Sequence, residues 1–212
     1  MRNLILALIF LPIISCQKNK TTNSFDYGSI EKGIYHNSYF KISIELPINW
    51  TILTGKDFTK FVESSAMENS DNKKELSEAI EVSKINRAEL LALYKFPLDI
   101  DFFNPNIMII AENIKLFQNQ IKTGRDYLGH SRITLERLFP DIEITDGFEE
   151  QKIGGLDFWL MHSEQNTNHG KVEQLFNSTI INGFSFLIVL TYSNETEKEE
   201  LNNILNNIEF KN

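Results

Sequence analysis

The sequence has only one cysteine, Cys16, so the chain cannot form an intramolecular disulfide. Stability must come from a packed core, for which sixteen phenylalanines supply large apolar side chains. No apolar run reaches the roughly twenty residues that a membrane-spanning helix needs. Positive charge is also scarce: 21 Lys and Arg stand against 29 Asp and Glu, and no basic run exceeds Lys73-Lys74. This balance argues against sequence-independent binding to nucleic acid or anionic lipid, which needs clustered positive charge.

Motifs of catalytic or nucleotide-binding chemistry are missing as well. The chain has no Gly-x-Ser-x-Gly elbow, no glycine-rich phosphate loop followed by Lys-Ser/Thr, and no His-Glu-x-x-His helix. Two pairs of acids, Asp99 with Asp101 and Glu149 with Glu150, could do acid–base work only in a concave site. In so acidic a chain we interpret them as solvated side chains. We therefore expect no cofactor and no enzymatic activity.

The chain does have an N-terminal segment typical of a secretory signal. Arg2 supplies the positive charge, residues 4–14 are apolar apart from Pro12, and Ile13-Ile14-Ser15-Cys16 resembles the lipobox of bacterial lipoproteins. The resemblance implies cleavage before Cys16 and attachment of acyl chains to that residue, and more than one acyl chain gives stable membrane anchoring. The alternatives are an ordinary signal peptide with a chance cysteine, or a short buried strand.

The rest of the chain divides into a tether and one domain. Residues 17–33 are polar and turn-rich and are predicted to be a flexible tether, which leaves residues 34–212 as a single folded domain. An acidic cluster after the cysteine is the usual signal for surface display of lipoproteins, and this chain has lysines there instead. We therefore expect a lipid-anchored protein of the bacterial cell envelope that faces the periplasm.

Side-chain periodicity predicts the elements of the domain. Alternating apolar residues from Phe40 to Leu46 predict a half-buried strand, and continuous apolar runs at 87–96 and 106–114 predict central strands. Asn182-Gly183, between two alternating runs, predicts a hairpin within a three-stranded antiparallel meander. Helical spacing predicts helices at 58–65, 76–83, 127–138 and 194–208. This order indicates an α+β fold, a mostly antiparallel sheet with helices packed on its faces.

Three segments resemble the superfamily of the photosystem II PsbP proteins and the Ran-binding Mog proteins. They are residues 35–50 with their Pro47 and Trp50 ending, the strand Gly183–Tyr192, and the closing helix Glu195–Asn207 with Ile208-Glu209-Phe210 after it. The resemblance implies an α/β/α sandwich with helices on both faces of the sheet. It also implies a non-catalytic role, because members mostly stabilise assemblies or bind partner proteins. Their partner-binding residues do not map by motif onto this chain.

The loop 97–105 is the best candidate for contact with a partner. It carries the aromatic residues Phe102 and Phe103 together with the acids Asp99 and Asp101, between two prolines. Such a loop could form a stiff, partly exposed aromatic surface of the kind that interfaces favour. The alternative is that its apolar side chains fold back over the sheet edge as core.

Histidines are the candidates for metal binding. His162 and His169 flank a predicted turn with Glu164 nearby, and two histidines with a carboxylate can hold zinc. A solvated pair is the plainer interpretation, and we expect no metal. The leading hypothesis is thus a membrane-tethered, non-catalytic protein-interaction or assembly module. The alternative is a periplasmic carrier of a small ligand or metal, with a pocket between sheet and helix.

Overall fold

The structure is a computed structural model that describes residues 25–69 and 86–211. Cys16 and the predicted helix at 76–83 lie outside the described residues. The strands are β1 Ser29–Glu31, β2 Ile34–Asn37, β3 Ile42–Glu45, β4 Thr51–Thr54, β5 Arg87–Tyr94, β6 Asn106–Asn113, β7 Glu143–Ile144, β8 Glu149–Ile153, β9 Leu156–Thr167, β10 Gly170–Ile181, β11 Phe184–Tyr192 and β12 Ile208–Phe210. The helices are α1 Gly55–Asn69, α2 Gly124–Leu138 and α3 Glu195–Asn206, and a 3-10 turn spans Lys115–Phe117.

These strands form two antiparallel sheets. The large sheet has the order β4-β5-β6-β11-β10-β9-β7, and β8 also pairs with β9. The small sheet has the order β1-β2-β3-β12, so that the closing strand pairs with the opening hairpin. The predicted α+β class, antiparallel sheet with packed helices, is confirmed.

The large sheet is the middle of three layers. All residues of β5 and β11 are buried, as expected for strands covered on both faces. One face, which we call the helix face, is covered by α1 and α2 through Phe58, Tyr127 and Leu135. The other face is covered by the small sheet and α3, through Ile44 and Leu201. Helices therefore pack on both faces of the large sheet, and on one face the small sheet packs beside α3.

The predicted C-terminal meander and its Asn182-Gly183 hairpin are confirmed. Asn182 and Gly183 have φ angles of 53° and 80°, the left-handed conformation that a tight two-residue hairpin turn requires. From this turn the β10–β11 register runs from Ile181 opposite Phe184 to Glu173 opposite Tyr192. Because β11 also pairs with β6, the meander supplies the centre of the large sheet.

The predicted tether is too long at its C-terminal side. Residues 25–33 belong to the folded domain: β1 pairs with β2, and the Phe25 ring packs against Phe40 and Phe184. The Asp26 carboxylate accepts hydrogen bonds from the Ser38 hydroxyl at 2.6 Å and from backbone amides of the same turn. Sequence periodicity missed this segment because β1 is only three residues long and exposed.

Stability should depend on pH through Asp26. Burial acts to raise the pKa of this carboxyl, but hydrogen bonds from Ser38, Gly28 and Tyr39 outweigh it and lower the pKa. A depressed pKa adds stability that is present above the unfolded-state pKa and is lost as pH falls through the folded-state pKa. We therefore expect Asp26→Asn to lower Tm at pH 7, and the difference from wild type to shrink as the pH approaches 3.

Calorimetric Tm values for both proteins between pH 7 and pH 3 check this expectation. Asp101→Asn, which neutralises an exposed acid, is the matched control and should leave Tm nearly unchanged. A difference between Asp26→Asn and wild type that stays constant over this range would contradict the role of the carboxylate.

Candidate functional site

The large sheet gives the domain two opposite ends. At the amino-terminal end, Phe25 packs against Phe184, and the Asn182 side chain donates to the Tyr39 carbonyl at 2.9 Å. At the other end, which we call the loop end, β4 begins opposite the last residue of β5, and loop 95–105 connects β5 to β6. Eight-residue strands separate the two ends by about 26 Å. The candidate loop therefore lies far from the point where the chain enters the domain.

Loop 97–105 is closed at its base by hydrogen bonds. The Asn104 side chain accepts from the Phe96 amide at 3.0 Å and donates to the carbonyls of Phe96 and Pro97 at 3.1 and 3.2 Å. The Lys95 amide donates to the Pro105 carbonyl at 3.0 Å. These bonds and the two prolines restrict the loop, so its side chains are presented from a defined backbone.

The structure separates the apolar residues of this loop into core and surface. Leu98 packs against the helix-face core, as the alternative interpretation predicted. Phe102 does not: it is 52% exposed and meets Phe96 edge to face, with ring centroids 5.2 Å apart. Phe103 is half-buried, and both Asp99 and Asp101 are exposed. The loop thus presents an aromatic side chain to solvent beside two acids.

Two further elements meet at the loop end, and sequence reasoning placed neither of them there. The turn between β3 and β4 carries Ile48, which is 86% exposed although its neighbour Trp50 packs into the core. Helix α3 begins here directly after β11, and its Glu200 forms an ion pair with Lys95 at the base of the loop. The sequence Pro47-Ile48-Asn49 does indicate a turn that carries an apolar side chain. It does not indicate that this turn lies beside loop 97–105.

A hydrogen-bonded cluster surrounds His162. Its Nε2 lies 3.0 Å from Glu173 Oε2, and its Nδ1 lies 3.2 Å from Thr145 Oγ1. The Tyr192 hydroxyl donates to the same Glu173 oxygen at 3.3 Å, and Lys171 Nζ lies 3.6 Å from the other. Burial acts to raise the pKa of Glu173, but its contacts with His162, Lys171 and Tyr192 outweigh it and hold the pKa below its usual value. The cluster is internally paired.

The candidate metal ligands His162 and His169 do not face one another. His162 lies within β9 opposite Leu175, five residues before that strand ends, whereas His169 lies in the turn to β10. Glu164 is paired with Lys171 at 2.6 Å. In residues 25–69 and 86–211, no group of three or more His, Cys, Asp or Glu residues could hold a metal ion. The seven-residue spacing of the two histidines suggested that both lie next to the turn. Because β9 is twelve residues long, His162 instead lies inside the strand.

A second polar cluster is buried beneath the helices. Arg87 Nη2 lies 2.7 Å from Glu89 Oε1, and the Thr59 hydroxyl donates to Glu89 Oε2 at 2.9 Å. The Tyr127 hydroxyl donates to Glu112 at 2.7 Å, and burial together with the Glu112 charge raises the Tyr127 pKa well above its usual value. These side chains are almost closed to solvent, so they support the packing of the helices rather than contact a partner.

The comparisons with known proteins concern the fold. No helix in the described part of the chain is long and apolar enough to cross a membrane. No family model and no curated protein matches the sequence. Among solved structures, cyanobacterial PsbP (CyanoP) from Synechocystis has a TM-score of 0.50 at 11% identity, over 94% of this chain and 99% of CyanoP. LpqN of Mycobacterium tuberculosis, described as involved in cell envelope biogenesis, has a TM-score of 0.43 at 13% identity, over 79% and 82% of the two chains. The chain is thus similar to PsbP in fold.

Proposed function

We propose that this chain is a lipid-anchored lipoprotein of the bacterial envelope whose domain binds a protein partner through its loop end and catalyses no reaction. The observation that carries the proposal is the half-exposed Phe102 on a loop that Asn104 closes at its base. Aromatic side chains of this kind supply much of the binding energy at interfaces. Because the loop backbone is already held, little conformational entropy is lost when a partner binds.

The anchor supports this role by keeping the domain close to the membrane. The lipobox-like Ile13-Ile14-Ser15-Cys16 would attach acyl chains at Cys16, and eight residues, 17–24, separate that residue from Phe25. Eight residues reach at most about 28 Å when fully extended. A short tether confines the domain and raises its effective concentration toward a partner in the same membrane.

A carrier of a small polar ligand is the second candidate, and one observation favours it. Asn106 on β6 is buried, and its Oδ1 has no hydrogen-bond partner, although its amide donates to the Asn104 carbonyl. Opposite it on the helix face, Thr191 accepts from Gln174. A buried unpaired acceptor is costly, and a donor group on a ligand would relieve that cost. Native mass spectrometry of the purified full chain tests for such a ligand as an added mass that is absent from Asn106→Leu.

Loss of the proposed lipid site should release the protein from membranes. In Cys16→Ala no thiol remains to carry an acyl chain, so we expect incorporation of a fatty-acid probe to fall to background and the protein to move to the soluble fraction. In-gel detection of the probe and membrane fractionation measure these two effects. Ser15→Ala keeps a small residue before Cys16 and should remain labelled. Labelling of Cys16→Ala at the wild-type level would refute the anchor.

Loss of the exposed ring should weaken partner binding without unfolding the domain. A photoreactive benzoylphenylalanine at position 100 of the full chain, which leaves Asp99 and Asp101 in place, should crosslink the partner on irradiation of intact cells. We expect Phe102→Ala with Phe103→Ala to reduce that crosslink by about tenfold or more, as for interface hot spots. Tm should change little because Phe102 is half-exposed. Ile133→Ala removes an exposed apolar side chain of α2 and is the matched control. An unchanged crosslink would contradict the proposed function, and a large fall in Tm would assign both rings to the core.

A further inference from the structure

The loop end combines exposed apolar side chains with an excess of negative charge. Its apolar surface comes from Phe102, which is 52% exposed, and Ile48, which is 86% exposed. They lie on neighbouring connections, because the first residue of β4, Thr51, pairs with the last residue of β5, Tyr94. We take these two side chains together as the apolar part of the candidate interaction site.

Acidic side chains are numerous at the same end of the domain. The loop and the first turns of α3 together carry six acids: Asp99, Asp101, Glu195, Glu197, Glu199 and Glu200. Lys95 pairs with Glu200 and Lys198 lies 3.2 Å from Glu195, whereas Lys32 is exposed in the β1–β2 turn, whose Gly33 carbonyl accepts from the Leu46 amide. Asp99 and Asp101 make no ion pair within residues 25–69 and 86–211. Among the described residues, loop 97–105 and the start of α3 therefore carry more acids than lysines.

The amino-terminal end differs in charge. Lys41, Lys115 and Lys211 are exposed there, and the Lys211 amide donates to the Lys41 carbonyl at 2.8 Å. The acids at this end include Asp26, which is held by hydrogen bonds within its turn, the exposed Glu209, and Asp157, which pairs with Lys152. The described residues thus place basic side chains beside the acids at the amino-terminal end and an excess of acids at the loop end. Anionic lipid headgroups would repel the loop end and leave it facing away from the bilayer.

From this arrangement we infer that the loop end docks a protein segment in which lysine or arginine residues flank an apolar side chain. The apolar side chain packs between Phe102 and Ile48, where burial supplies affinity. The basic residues face Asp99 and Asp101, which steer the approach and select against acidic partners. This inference rests on the proposed function and specifies the chemistry of the partner and the direction from which it binds.

A defined peptide tests the inference on the full lipidated chain in phosphatidylcholine nanodiscs. The probe is a fluorescein-labelled decapeptide with a central tryptophan flanked on each side by two lysines, the remaining positions being serine and glycine. One comparison peptide has glutamate in place of lysine, and a second has serine in place of tryptophan. Fluorescence anisotropy gives Kd at 50 and 300 mM NaCl. We expect the lysine–tryptophan peptide to bind at least fivefold more tightly than either comparison peptide, and more weakly at high salt because surface charges are then screened.

Two pairs of variants locate the site. Asp99→Asn with Asp101→Asn, and separately Ile48→Ser with Phe102→Ala, should each weaken binding about fivefold. Matched changes elsewhere, Asp157→Asn and Leu116→Ser, remove an exposed acid and a 64% exposed leucine and should leave Kd unchanged. Equal binding of the glutamate peptide, or equal losses in the matched variants, would overturn the inference. Concentration-dependent self-association of the chain that the same loop-end variants abolish would also overturn it, by assigning the face to a second copy.

The outcomes separate this inference from the proposed function. A crosslink from position 100 in cells without selective peptide binding would support the interaction module and refute the inferred partner chemistry of basic residues around an apolar side chain. Selective peptide binding that depends on Asp99, Asp101 and Phe102 supports the partner chemistry directly. Absence of both the crosslink and the peptide binding refutes both statements.

Discussion

Replacing Gly124 by alanine should destabilise the domain by about 3 kcal/mol or more, at the upper end of the range for overpacked sites. Gly124 is the first residue of α2, and a Cβ added there would lie 1.9 Å from the Ser178 carbonyl oxygen and 2.5 Å from its carbon. That backbone cannot yield, because Ser178 pairs with β9 on one side and with β11 on the other. The helix would have to lift from the sheet and expose part of the core that it covers.

The same helix contains its own control. Gly129 has no atom within 4 Å of an added Cβ, so Gly129→Ala should stabilise α2 by about 1 kcal/mol through helix propensity alone. Urea unfolding of wild type and both variants measures the two effects, which we expect to have opposite signs. A Gly124→Ala variant as stable as wild type would show that α2 does not pack this closely on β10.

Removal of Glu89 should be nearly as damaging. The Arg87 side chain is only 3% exposed, and in Glu89→Ala its guanidinium loses the carboxylate 2.7 Å away. The Thr59 hydroxyl loses its acceptor as well. Deleting one partner of a buried ion pair costs about 3–5 kcal/mol, because the charge that remains buried loses one of its compensating contacts. We expect a loss of about 3 kcal/mol in the free energy of unfolding.

Two variants calibrate this expectation. Glu89→Gln keeps a hydrogen-bond acceptor for Thr59 but removes the charge, and it should fall between wild type and Glu89→Ala. Asp157→Ala breaks the Lys152–Asp157 pair, whose side chains are 70% and 81% exposed, and should cost less than about 1 kcal/mol. Chemical denaturation gives all three values. A loss for Glu89→Ala no larger than for Asp157→Ala would show that the pair is effectively solvated.

Local pattern was enough to predict most elements of the fold. The central strands β5 and β6, the Asn182-Gly183 hairpin and the closing helix α3 followed from burial periodicity and turn chemistry. These signals are local, because the alternation of side chains reports which face of one element is buried. Pairing between distant segments leaves no such signal. Ile42 pairs with Phe210, so the first and last segments of the domain's chain form a separate small sheet. Neither segment's sequence alone predicts this pairing.

The candidate site also depends partly on local sequence and partly on tertiary packing. Composition selected loop 97–105 but could not decide which of its apolar side chains is core. Packing decided it, because Leu98 reaches the helix-face core while Phe102 is left half-exposed. The distance between His162 and His169 also depends on the residue at which β9 ends, and the sequence spacing of the histidines does not predict that residue.

By itself, the sequence determined the α+β architecture, the single thiol at Cys16 and the acidic balance of the chain, since each depends on residue type or short-range order. Only the tertiary structure brought Ile48, Phe102 and the acids of α3 to one end of the sheet, opposite the point where the chain enters the domain. The physical reason is that surface charge and exposed apolar area belong to the folded surface, where segments more than fifty residues apart in sequence become neighbours.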